Sequence, residues 1–109
     1  QLLIIKNKKM KKETFLLFIK DDDESHVVPA RNFLGVDADS NTTTLEVSFL
    51  KETGSPNAAI YKLFFEGPVK EACKALAGAL AGQNRGLITV ADARANKFLA
   101  PFNAIESIT

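Results

Sequence analysis

One cysteine, one histidine and one methionine stand in 109 residues, and each shortage removes a class of explanation. The lone Cys73 excludes an intrachain disulfide. With His26 as the sole imidazole, one chain also has too few soft ligands for a structural zinc site. A reducing cytoplasm is the expected compartment. No apolar run approaches the roughly 20 residues that a membrane-spanning helix needs, since "TFLLFI" is too short. The same stretch is a poor secretory core, because "TFLLFIKDDDE" turns acidic at once. Ser25, Ser40 and Ser55 lack the flanking glycines of a nucleophile elbow.

What is present is an ordinary globular composition, 46% hydrophobic and 25% charged, far from the low-hydrophobicity signature of disorder. One packed β-rich domain is expected over residues 14–109, behind a basic leader at 1–13. Charge is segregated. "KNKKMKK" holds five lysines between Lys6 and Lys12, "DDDE" follows at Asp21–Glu24, and residues 25–109 balance eight basic groups against eight acidic ones. The lysine run has no aromatic among it to stack on bases. Met10 is the only methionine, so the expectation is a natural start there, with residues 1–9 an ordered, partly artefactual leader rather than a functional basic arm.

Periodicity organises the remainder. "TFLLFIK" (14–20) puts Phe15, Leu17 and Ile19 on one face and Leu16 and Phe18 on the other, so it predicts a strand buried on both sides, at a sheet centre or a subunit seam. "HVVPARNFLGVDADSN" predicts an extended segment bent at Pro29, which donates no ladder hydrogen bond, with a kink over Ala30–Asn32. "TTTLEVSFLK" (42–51) alternates, Leu45, Val47 and Phe49 on one side, and should form an antiparallel hairpin with 33–37. "AAIYKLFFE" (58–66) predicts a further strand whose stronger face carries Tyr61, Leu63 and Phe65.

After Pro68, the residues Val69, Ala72, Cys73, Leu76 and Leu80 recur at helical spacing, and Gly82 or Gly86 can end the helix. Its small residues Ala75, Gly78 and Ala79 permit close approach of a neighbour. "LITVADAR" (87–94) and "FNAIESIT" (102–109) return to strand. The order predicts a mainly β fold: a small, strongly bent antiparallel sheet or open barrel, with one helix after the fourth strand. Phe15, Leu17, Ile19, Ala75, Gly78 and Ala79 are the expected contacts between subunits.

Chemistry-bearing patterns are few. His26 in an acidic loop reads as a solvated residue, and Cys73 on an apolar helical stripe reads as an inert thiol. "DADSN" offers Asp37, Asp39 and Asn41 in calcium-loop order, but Thr42 replaces the needed glycine and Ser48 the bidentate glutamate, so a hairpin turn is expected. "DDDE" reads as a solvated loop. No catalytic residue, metal or cofactor is expected. Amide and cationic donors gather near the C-terminal third: Asn84, Arg85, Arg94, Asn96 and Lys97 flank one strand at its two turns, with Arg31 elsewhere. Loops of this kind can hold phosphates or base edges.

The succession "VVPARNFLGVDADSNTTTLEVSF", a helix, then "RGLITVADARANKFLAPFNAIESIT" resembles the small proteins abundant in ocean metagenomes and marine cyanophages, a family structurally similar to Sm/LSm proteins. The resemblance covers most of residues 14–109 as a pattern of apolar positions, with Pro29-Ala30, Leu34-Gly35 and the "VADAR" strand. It implies an Sm-like bent-strand barrel, assembly into a homo-oligomeric ring, and binding of single-stranded RNA by loops near a pore. Arg85-Gly86 before "LITV" resembles the second Sm motif, and Gly35 with Asp37 and Asn41 the first. RNA contacts are therefore implied for Arg85 and Asn41. The first motif departs in spacing, and the helix falls late where an Sm protein begins with one.

Two functions are consistent with this reading. The first is a non-enzymatic, homo-oligomeric protein of phage origin that binds RNA or single-stranded DNA through Arg85, Arg94, Lys97, Arg31, Asn84 and Asn41. The second is a phage assembly or accessory protein that works through protein contacts alone, which the neutral charge of residues 25–109 favours.

Overall fold

The computed structural model describes residues 13–38, 43–51, 58–82 and 86–109. The fold is mainly β. Among the described residues, eight strands form two four-stranded sheets, in the orders β2-β1-β6-β7 and β3-β4-β5-β8.

The chain begins with β1 (Phe15–Ile19), turns through Lys20–Glu24 and returns antiparallel as β2 (Ser25–Pro29). Pro29 then ends the ladder, and Ala30–Asn32 forms one 3-10 turn before β3 (Phe33–Ala38) starts in the other sheet. The kink expected at Pro29 is thus a corner between sheets. It is pinned at both ends: the Ala30 N–H donates to the Thr14 carbonyl at 2.8 Å, and the Asn32 side-chain amide donates to the Leu50 carbonyl at 3.0 Å.

β3, β4 (Thr44–Leu50) and β5 (Ala58–Phe65) form an antiparallel meander, which includes the expected hairpin. The helix α1 (Val69–Ala81) starts directly after Pro68 and stops at Gly82, whose φ of 40° is left-handed and whose N–H reaches the Gly78 carbonyl at 3.2 Å. β6 (Leu87–Asp92) rejoins the first sheet beside β1, β7 (Lys97–Phe98) extends it, and β8 (Phe102–Ile108) returns to the second sheet beside β5.

Two expectations need correction. A single bent antiparallel sheet becomes two sheets, because the Pro29–Asn32 corner interrupts the ladder; the helix consequently follows the fifth strand rather than the fourth. The pairing is also not all antiparallel, since β1 and β6 run parallel. The intervening meander and helix supply the long crossover that a parallel pair requires. No closed barrel forms among the described residues.

Alternation along each strand builds the core between the sheets. Leu16 and Phe18 of β1, Leu45, Val47 and Phe49 of β4, and Tyr61 and Leu63 of β5 are fully buried. α1 adds Ala72, Leu76 and Ala79 to the same cluster. A bulge shifts the β1–β6 register, so that Leu17 faces Thr89 while Phe18 faces Ala91. Val90 and Ala91 are consecutively buried beside this bulge.

Candidate functional site

Three surfaces arise from this framework. The first lies where the turn after β1 meets the turn after β6. Asp21 turns inward, its Oδ1 accepting the N–H groups of Asp23 and Glu24, each at 2.9 Å. Those backbone donors, with Lys20 nearby, hold its carboxyl below the usual carboxylate range. Lys20 also bridges Asp21 at 3.6 Å and Glu24 at 3.5 Å. Across the gap, Arg94 Nε meets Asp22 Oδ1 at 2.7 Å. Among the described residues no group of three or more metal-ligating side chains forms.

Two described members of the expected cationic set are paired with carboxylates. Arg94 pairs with Asp22, Arg31 pairs with Glu13 beside the corner, and Lys97 is exposed on β7. Asn41, Asn84 and Arg85, together with the lysine run and Met10, lie outside the described residues.

The second surface is the outer face of the first sheet. Directly paired residues share a face, and the register places Phe15 with Pro29 and Leu87, Leu17 with Val27 and Thr89, and Ile19 with Ser25 and Asp92. Phe15, Leu17 and Ile19 are half-buried there, while Val27 and Leu87 are 55% and 56% exposed. An adjoining groove of about 460 Å3 runs between α1 and β6, lined by Ala75, Gly78 and Ala79 on one side and Leu87, Ile88 and Leu99 on the other. The small residues expected at a subunit contact thus line an open apolar groove that shares Leu87 with this face.

The third surface was not legible in the sequence. At the corner between the sheets, a cavity of about 320 Å3 is lined by His26, Val27 and Val28 of β2, Asn32, Leu50 and Lys51 at the end of β4, and Ala59 and Tyr61 of β5. Tyr61 is fully buried, stacked on Phe18 with ring centroids 4.1 Å apart. Its hydroxyl lies 2.7 Å from His26 Nδ1. His26 is exposed, as the acidic loop suggested, but it is also paired, because β2 directs it to the same side as Phe18. A tyrosine on the strong face of one strand and a histidine 35 residues earlier leave no local signal of this contact.

Burial disfavours the phenolate and pushes the Tyr61 hydroxyl up to about 12. The folded state therefore keeps a proton that the unfolded chain releases near its ordinary value of 10.0. Stability from this group is complete below pH 10 and is lost as pH rises toward 12, roughly 2–3 kcal/mol in all. Urea titrations across that range should show this loss in the native protein and not in Tyr61→Phe; an equal loss in both would refute it. The sole tyrosine, in a chain without tryptophan, also gives a single-site absorbance readout of the same event.

No protein-family model, curated protein or solved structure matches this chain. Among the described residues no helix is long and apolar enough to cross a membrane.

Proposed function

We propose that this chain is a non-enzymatic protein that works as a homo-oligomer and acts through protein contacts, in the manner of a phage assembly or accessory protein. The carrying observation is the outer face of the first sheet, where Val27 and Leu87 stand open beside half-buried Phe15 and Leu17. Together with the groove lined by Ala75, Gly78 and Ala79, this apolar surface suits burial against another copy. The phage assignment rests on the resemblance noted in the sequence. An Sm-like open barrel is supported by connectivity: short corners link β2 to β3 and β7 to β8, joining the two sheets at both of those edges. Leu87→Glu should lower the mass measured by light scattering to that of one chain, while circular dichroism stays native; an unchanged assembly would reject this face as the interface.

Binding of RNA or single-stranded DNA is the second reading, favoured by one observation. Arg94 and Asp22 are both largely exposed, with side chains 64% and 75% accessible. Such a pair contributes about 0–1 kcal/mol, so a phosphate can replace Asp22 at little cost, with Lys97 three residues away. Oligo(U) and oligo(dT) should then bind at low salt, and Arg94→Ala with Lys97→Ala should weaken binding and flatten its salt dependence. If neither polymer binds at low salt, protein contact alone remains.

A further inference from the structure

The cavity beside the Pro29–Asn32 corner has the make-up of a ligand site rather than a packing defect. At about 320 Å3 it falls at the lower end of the range for small-molecule pockets. By the volume that a water molecule occupies, it admits roughly ten non-hydrogen atoms. Its walls are mostly hydrocarbon, from Val27, Val28, Leu50, Ala59 and the Tyr61 ring, with a few polar groups among them.

The polar groups have a consistent sense. Lys51 brings an ammonium, and the Tyr61–His26 pair, whose mutual hydrogen bond already uses one of its protons, leaves one donor over. Among the described lining residues there is no carboxylate. Donors and one fixed positive charge set in an apolar cavity complement an anionic head on an apolar tail.

The walls are also held in place before any ligand arrives. The Asn32 amide ties the corner to the Leu50 carbonyl, and Tyr61 is clamped between Phe18 and His26. A preorganised site loses less ordering entropy on binding.

We propose that this cavity binds a medium-chain aliphatic carboxylate, its head against Lys51 and its tail along Val27, Val28 and Leu50. This goes beyond the homo-oligomer reading and does not rest on it, because its described lining residues all belong to one chain. The β2 edge and the end of β4 form the rim, so Val27 and Leu50, both exposed, are the residues a tail would cover.

Octanoate, with ten non-hydrogen atoms, is the matching probe. The full chain should bind it saturably at one per chain below the concentration at which octanoate self-associates, with changed Tyr61 fluorescence. NMR shift changes should concentrate at residues 26–28, 50–51 and 59–61. Lys51→Gln, with native circular dichroism, should weaken binding about tenfold or more, and octylamine, with the same tail and opposite charge, should bind at least tenfold more weakly. Absence of saturable octanoate binding overturns the proposal. So does equal binding of octylamine, undiminished affinity in Lys51→Gln, or shift changes centred on Leu87 and Ala75 instead.

Discussion

Phe18→Ala should destabilise the protein by about 3–5 kcal/mol, the usual cost of emptying a buried aromatic site. Phe18 is fully buried and its ring touches two strands of the second sheet. It stacks on Tyr61 at 4.1 Å and 14°, and meets Phe49 edge-on at 5.9 Å and 62°. Phe49 in turn packs edge-on against Tyr61 at 5.8 Å and Phe33 at 5.8 Å. One substitution therefore removes the ring that links β1 of the first sheet to β4 and β5 of the second. Domains of this size hold about 5–15 kcal/mol in total, so the variant should unfold at much lower urea. A loss under about 1 kcal/mol would show that the sheets are joined mainly elsewhere.

Gly82→Ala should be nearly as damaging, for a different reason. Gly82 ends α1 in the left-handed region, and an added Cβ would meet the Thr14 side chain, its Cγ2 at 2.6 Å and its Cβ at 2.8 Å. Those contacts are too close for any real side chain. Thr14 precedes β1 and its carbonyl anchors the Ala30 N–H of the corner, so it cannot withdraw without disturbing both. Left-handed strain of about 1 kcal/mol adds to overpacking of about 1–3 kcal/mol, for a total near 2–4 kcal/mol. Thr14→Gly in the same chain should recover the overpacking part and leave the backbone part, which a double-mutant cycle separates. Full additivity of the two substitutions would contradict this account of the helix end.

Local elements were legible because their causes are local. α1 announces itself through Pro68, its apolar stripe and Gly82, β5 through strict alternation that matches its burial, and β4 through the same alternation except at Thr44, which is buried beside Leu45. Pro29 marked the bend, though not that the chain changes sheets there. Pairing over long separations left no trace. Nothing in "LITVAD" tells that β6 lies parallel to β1 or that a bulge buries Val90 and Ala91 together. The His26–Tyr61 contact and the Asp22–Arg94 bridge have the same character, since each depends on which strands become neighbours. The carboxylates that answer Arg94 and Arg31 sit far from them in sequence, so these pairs could not be read from the order of charges along the chain.

The outer face of the first sheet makes self-association the central claim. Sedimentation equilibrium of the wild-type chain over a wide concentration range tests it most directly. The account predicts a mass of two or more whole multiples of 11.9 kDa, sustained on dilution to micromolar protein. A mass of 11.9 kDa at every concentration would contradict it.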